Sequence, residues 1–124
     1  MPTVSVENYL KAILHLHEEG KVQVSTTELA GRVRATPAST SAMLRKLGDK
    51  GWVIYRKYRG VHLTNEGRRI AMNIFRRHRL WECFLVDHLG FEWDEVHEIA
   101  EELEHVGSRD LTNRLDAFLG FPKL

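Results

Sequence analysis

Cysteine, proline and long apolar runs are all scarce in this sequence of 124 residues. There is one cysteine, Cys83, so no internal disulfide can form, and a reducing cytoplasm is the expected compartment. We expect Cys83 itself to be an ordinary buried helix residue. No apolar run approaches the roughly 20 residues that a membrane helix needs, and no signal-peptide core precedes the first helix. These absences predict a small cytoplasmic protein without a membrane segment.

The overall charge is almost balanced, but its distribution along the chain is not. The formal net charge is +1. Residues 1–71 contain 12 Lys and Arg against 6 Asp and Glu, a net of +6, whereas residues 72–124 contain 6 against 11, a net of −5. A basic segment favours a polyanionic partner, and an acidic segment favours a cation. We therefore expect two parts with different partners.

Hydroxyl residues followed by helical periodicity predict three helices in the basic part. Ser5 is the expected N-cap of the first helix, and Ser25 begins a capping-box pattern for the second. Thr36 followed by Pro37 is typical of an N-cap and the first position of a third helix.

The pattern changes from helix to hairpin after the third helix. Two short β-prone runs, 52–55 and 61–63, flank the basic segment 56–60. Short helices followed by a hairpin with a basic tip form the outline of a winged helix-turn-helix.

Three more helices are expected after the hairpin, with Thr64, Asp94 and Ser108 as their N-caps. The second of them should extend to about Val106. The predicted fold class is therefore all-α with a small β wing. It comprises a winged helix-turn-helix over residues 1–71 and a helical segment over residues 72–124.

The start of the third helix and the wing tip are the predicted DNA contacts. Small and hydroxylated side chains let bases and phosphates approach closely, and Lys and Arg neutralise phosphates. Any one of these residues could instead belong to a solvated face, but their order within a basic segment favours DNA. The predicted contact residues are Thr36, Pro37, Ala38, Ser39, Ser41, Ala42, Arg45 and Lys46 of the third helix, and Arg56, Lys57 and Arg59 of the wing.

The acidic part contains imidazoles and carboxylates at helical spacing. In the fifth helix, His97, Glu101, Glu104 and His105 fit within about 100° of arc, beside a separate apolar stripe. In the fourth helix, His78 and Glu82 are spaced i, i+4 and share a face. Such ligands suit manganese, ferrous iron, zinc or cobalt. The alternative is a solvent-facing acidic helix with incidental histidines.

The sequence gives little support for an enzyme. Residues 97–101 have the pattern HExxE, one residue short of the HExxH of zinc proteases. A di-metal bundle would need two Glu-x-x-His spacings, and only Glu102 to His105 has one. No nucleophile–base pair is visible, so we expect a protein that is not an enzyme.

The whole chain resembles the diphtheria-toxin-repressor and manganese-transport-regulator family. The resemblance depends on five stretches of sequence. They are Val6–Leu10, Tyr58–Gly60, the Leu63, Thr64 and Gly67 set, Arg77–Leu80 with Glu82, and Glu101 with Glu104 and His105.

The resemblance implies a metal-dependent repressor of metal-homeostasis genes. It implies one metal site at His78, Glu82 and His97, and another at Glu101, Glu104 and His105, joined by Asn8 from the first helix. Members are homodimers that bind palindromic double-stranded operators when loaded with manganese or ferrous iron.

The second part of the chain has more large apolar residues than a segment of this size can bury alone, which also favours a homodimer. These residues are Trp81, Phe84, Trp93, Leu115 and Phe118.

Two positions depart from the family pattern. Asn8 stands where manganese sensors have Asp, and Lys11 stands where they have a second acid. Glu101, by contrast, matches the manganese type, since iron sensors have Cys there, so the metal preference is mixed and leans to manganese. The chain also lacks the SH3-like domain of larger members, so we expect a short member or a fragment. A winged-helix regulator with a decayed metal site and a metal-dependent hydrolase are the alternative functions.

Overall fold

A computed structural model describes residues 3–124, which divide into two compact units. The first ends at Met72, and the second comprises Asn73–Leu124. Six α-helices and one two-stranded sheet account for the regular structure of the described residues, which confirms the predicted fold class. None of the described helices is both long and apolar enough to cross a membrane.

The first unit contains three helices and the hairpin, followed by the start of a long helix. The elements are α1 (Val4–Glu18), α2 (Thr26–Val33), α3 (Pro37–Asp49), β1 (Val53–Arg56) and β2 (Gly60–Leu63). Leu10, Ile13 and Leu14 of α1 lie in one buried cluster with apolar residues of every other element in this list. Burial of such side chains stabilises the unit by about 1.5–3 kcal/mol each before the entropy cost.

Two of the three helix caps in this unit confirm the sequence prediction, and one does not. The side chains of Ser25 and Thr36 accept hydrogen bonds from the third backbone N–H beyond them. Helix α1 begins earlier than expected because Thr3, not Ser5, accepts from the Val6 N–H, at 3.2 Å. The predicted Ser5 cap is therefore wrong.

The wing is an antiparallel hairpin with a third segment at its base. Val53 pairs with Leu63 and Arg56 with Gly60. Val24 exchanges two backbone hydrogen bonds of 2.9 Å with Val61, so the segment before α2 adds a short bridge to β2.

The second unit consists of most of α4 (Asn65–Leu89), together with α5 (Val96–Leu103) and α6 (Arg109–Phe118). Thr64 and Ser108 form the predicted caps, since their hydroxyls accept from the Gly67 and Leu111 N–H groups. The predicted Asp94 cap is wrong, because the N-cap of α5 is Glu95 and makes no side-chain hydrogen bond.

Helix α5 also ends earlier than expected, at Leu103 rather than Val106. The Val106 N–H bonds to the Leu103 carbonyl at 3.0 Å, which closes a tighter turn than an α-helix. The Glu104 carbonyl accepts from Arg77 Nε at 2.7 Å, so a side chain of α4 takes the group that a continuing helix would have used.

Candidate metal centre and nucleic-acid interface

Two histidines and one glutamate converge in the second unit. His78 and Glu82 lie one turn apart on α4, and His97 lies in the first turn of α5. His78 Nε2 is 3.3 Å from Glu82 Oε2, and His97 Nδ1 is 3.8 Å from the same oxygen. One ligand atom from each residue lies within 4.8 Å of the other two, and the described residues contain no other such group.

A buried carboxylate fixes the orientation of His78. Glu104 is fully buried, and its Oε1 lies 3.0 Å from His78 Nδ1. An ionised Glu104 carboxylate can only accept, so Nδ1 donates to it, and Nε2 is the ring nitrogen that faces Glu82. In this orientation Nε2 and the Glu82 oxygen can both act as ligand atoms for one cation. This carboxylate–histidine arrangement is typical of metal sites.

The three converging residues differ in exposure. His78 and Glu82 are buried, whereas the His97 side chain is 64% exposed. The cluster is therefore backed by protein on the α4 side and open to solvent at His97. Two imidazoles and a carboxylate form a donor set that fits a divalent transition metal and leaves further coordination positions free.

The other predicted ligands occupy different environments. Glu101 contacts His97, with Oε1 and Nε2 3.0 Å apart. His105 is half-buried in the turn after α5, and Asn8 is an exposed residue of α1 in the first unit. Within the described residues, Glu101, Glu104 and His105 do not form a three-ligand group of their own.

Sequence reasoning gave no role to Arg77, although it holds the backbone of Glu104. Its position next to His78 was the sequence signal that could have predicted this role, because neighbours of a ligand often orient the site.

Cys83, also on α4, is half-buried, and burial raises the pKa of its thiol. A protonated thiol is a poor metal ligand, and Cys83 lies in a helix as expected but is less buried than predicted.

The predicted DNA-contacting residues of α3 differ in their exposure to solvent. Most of them are exposed, including Ser39 and Arg45. Ser41 is half-buried, and its Oγ accepts from Tyr55 OH at 3.5 Å. Thr40, which lies between Ser39 and Ser41, is fully buried and shares a 3.2 Å hydrogen bond with the Tyr9 hydroxyl of α1. This contact fixes the rotation of α3 about its own axis.

The wing presents its cations at the hairpin tip, where Arg56, Lys57 and Arg59 are exposed. His17 anchors the wing to α1. Its Nε2 accepts from the Leu63 N–H at 3.2 Å while Nδ1 donates to the Lys21 carbonyl at 2.6 Å. The basic tip therefore projects from a hydrogen-bonded base.

This fold and these clusters define a class of protein: a winged helix-turn-helix regulator with a helical segment suited to a divalent metal. Comparison with known proteins identifies the family. Residues 1–61 match the family model described as the iron dependent repressor N-terminal DNA binding domain. Residues 64–124 match the iron dependent repressor metal binding and dimerisation domain. The chain belongs to the iron-dependent repressor family, which confirms the resemblance seen in the sequence. This family comprises metal-dependent, DNA-binding transcriptional repressors and not enzymes.

The chain is similar in sequence to family members of different length. The chain is 35% identical over 115 residues to an uncharacterised HTH-type transcriptional regulator of Methanocaldococcus jannaschii, covering 93% of this chain and 92% of the relative. It is 36% identical over 118 residues to the iron-dependent repressor IdeR of Mycobacterium leprae, covering 95% of this chain and 51% of the repressor. The chain thus spans nearly the whole of one relative and about half of the other.

The fold also matches solved structures. A manganese-dependent transcriptional repressor in complex with manganese is similar with a TM-score of 0.84 and 46% sequence identity. The match covers 94% of this chain and 53% of that one. The likeness therefore covers both units of the chain.

Proposed function

We propose that this chain is a manganese-responsive repressor that acts as a homodimer on palindromic operators of metal-homeostasis genes in the cytoplasm. Ferrous iron is the second candidate metal. Residues 1–71 bind DNA in this proposal, and residues 72–124 bind the metal and dimerise. The names of the relatives support both metals, since one is iron-dependent and another is a complex with manganese.

The observation that carries the proposal is the convergence of His78, Glu82 and His97, with Glu104 behind His78. Imidazole and carboxylate without thiolate favour manganese or ferrous iron over a closed zinc site. When bound, the metal supplies fixed positive charge between α4 and α5. The chain's own residues hold that charge and orient the imidazoles.

The remaining ligand assignments are part of the same proposal. Glu101, next to His97, and His105, in the turn after Glu104, supply further donors on the α5 side. Asn8 is assigned by resemblance alone, and it stays a prediction. Its amide carbonyl is a neutral donor, so Asn8→Asp should tighten manganese binding if this residue is a ligand.

The DNA-binding assignment is supported by exposure and charge. The set is Thr36, Pro37, Ala38, Ser39, Ser41, Ala42, Arg45 and Lys46 of α3, with Arg56, Lys57 and Arg59 of the wing. In a helix-turn-helix the second helix enters the major groove, and flanking cations hold phosphates.

Dimerisation is supported by an exposed aromatic face on the second unit. Phe84, His88 and Phe118 form a ring cluster with centroid separations of 4.7–6.0 Å. Phe118 nevertheless remains 62% exposed, and Trp93 and Phe121 are 59% and 68% exposed. Apolar rings at the surface are typical of an interface, and a second copy of the chain is the proposed occupant.

Metal-dependent DNA binding tests the proposal directly. We expect manganese to raise affinity for fragments selected from a genomic pool by about 5- to 150-fold, and a chelator to reverse the gain. The double variant His78→Ala, Glu82→Gln should lose the gain but keep weak basal binding. Glu98→Gln is the matched control, because Glu98 is an exposed acid of α5 that lies outside the cluster.

A different result would favour the alternative regulator with a decayed metal site. Wild-type DNA binding that is equally tight with manganese and with chelator would contradict metal dependence while leaving DNA binding intact. Equal loss of the metal response in Glu98→Gln and in the double variant would contradict the assignment of the site.

A further inference from the structure

Tyr58, at the tip of the wing, is the most exposed of the large hydrophobic side chains, at 95%. Its φ is +68°, a left-handed conformation that a tyrosine rarely adopts. Neither the exposure nor the conformation is explained by packing within the chain. A residue that is both strained and exposed is a candidate for contact with a partner.

The turn at the tip shows why the tyrosine is unusual there. The Arg59 N–H bonds to the Arg56 carbonyl at 3.0 Å, which makes Tyr58 the third residue of a β-turn. A positive φ at that position is the mark of a type II turn, where glycine or asparagine is the usual residue. Glycine at this position would therefore form the same turn without strain.

The base of the wing holds this tip in place. Gly60 has a φ of +102°, and a Cβ there would lie 2.7 Å from the Val24 carbonyl oxygen. Val24 and Val61 exchange two backbone hydrogen bonds at this same point. Because the close approach fixes the end of the turn, the Tyr58 ring projects from an anchored base.

The surroundings of the ring indicate the chemistry of the partner. Exposed Arg56, Lys57 and Arg59 flank Tyr58, and Lys57 Nζ lies 5.2 Å from the ring centroid. Three cations favour a polyanion, and the aromatic ring adds a flat apolar surface with one hydroxyl donor. The backbone of duplex DNA offers the complement: phosphate oxygens beside deoxyribose faces.

We propose that Tyr58 is a DNA-contacting residue that packs its ring on the sugar–phosphate backbone and donates its hydroxyl to a phosphate oxygen. This inference rests on the proposed function and adds a contact that carries no net charge. The cost of the strained turn is then offset by DNA binding and not by folding.

The variant Tyr58→Gly separates the two roles of this position. Glycine relieves the positive φ, so the thermal unfolding midpoint should rise or stay unchanged. Affinity for a short fluorescent duplex of mixed sequence at low salt should fall by about tenfold, an effect comparable to losing one aromatic contact to nucleic acid. Tyr58→Phe should recover part of that loss, because it keeps the ring and removes the hydroxyl.

The salt dependence distinguishes Tyr58 from a general loss of the wing. Arg59→Ala should flatten the slope of log affinity against log salt by about one unit, since one phosphate contact is lost. Tyr58→Gly should lower affinity with the slope unchanged. Unchanged affinity in Tyr58→Gly would overturn this inference alone. Failure of the wild type to bind any duplex would instead overturn the proposed function.

Discussion

At the scale of single residues, the metal cluster depends on the state of one imidazole. His78 has both ring nitrogens engaged, with Glu104 on one side and Glu82 on the other. The carboxylate of Glu104 holds the tautomer that leaves Nε2 available to a metal. Helical spacing predicted that His78 and Glu82 would share one face of α4, and the structure brings them together with His97. Helical spacing could not predict that Glu104 would be buried behind His78, because this depends on the Arg77 contact that ends α5.

Replacing Glu104 with glutamine tests this orienting role. Glutamine keeps the size of the side chain but can present an N–H to His78, which removes the preference for the Nδ1–H tautomer. We expect Glu104→Gln to weaken manganese binding by about 10- to 100-fold. Isothermal titration calorimetry would measure the change. Glu102→Gln, a change at an exposed acid two residues earlier, should bind manganese like the wild type, and an equal loss in both variants would contradict the orienting role.

At the scale of elements, four of the six helix caps and the hairpin were predicted correctly, because their causes are local. Ser25, Thr36, Thr64 and Ser108 each bond a backbone N–H three residues along the chain, which a sequence pattern can show. The ends of α5 were not predictable in this way. Its first turn lacks a side-chain cap, and the Glu104 carbonyl at its C-terminal end is taken by the distant side chain of Arg77.

Two helical glycines give opposite predictions for stability. Gly31 of α2 has open space where a Cβ would lie, so Gly31→Ala should stabilise the protein by about 1 kcal/mol through helix propensity. A Cβ at Gly67, in the first turn of α4, would collide with the backbone carbonyl of Trp52. Gly67→Ala should therefore destabilise by about 3 kcal/mol or more.

Chemical denaturation of both glycine variants would measure these free energies of unfolding. Because the same substitution is made in a helix in both cases, the difference isolates the contact between α4 and the Trp52 backbone just before β1. Similar changes at the two positions would contradict close packing at Gly67.

At the scale of the whole molecule, the charge division of the sequence matches the division of labour in the proposal. The basic part contains the helix-turn-helix and wing, and the acidic part contains the candidate metal cluster. The aromatic face formed by Phe84, His88 and Phe118 lies in the acidic part. Composition predicted apolar bulk beyond the core of this part, but of the five residues expected to provide it only Trp93 and Phe118 are exposed, and Leu115 is buried. Composition could not show which rings remain at the surface, since that depends on how α4 packs with α6.

A charged residue on the aromatic face should separate the proposed dimer. Phe118→Asp places a carboxylate among rings that a second copy would cover, and burial of an unpaired charge is costly. Sedimentation should show monomers at concentrations at which the wild type is dimeric. Asn113→Asp is the control, because Asn113 is exposed on a different face of α6 and acquires the same charge.

Separation of the dimer should weaken DNA binding without removing the metal cluster. Two linked half-site contacts gain affinity because the second binding event takes place within one complex, and a monomer loses this gain. Phe118→Asp should therefore bind a palindromic fragment no more tightly than a single half-site, whereas the wild type should prefer the palindrome. His78, Glu82 and His97 all belong to one chain, so manganese affinity at this cluster should be nearly unchanged. A monomeric variant that still prefers the palindrome would contradict the link between this face and operator recognition.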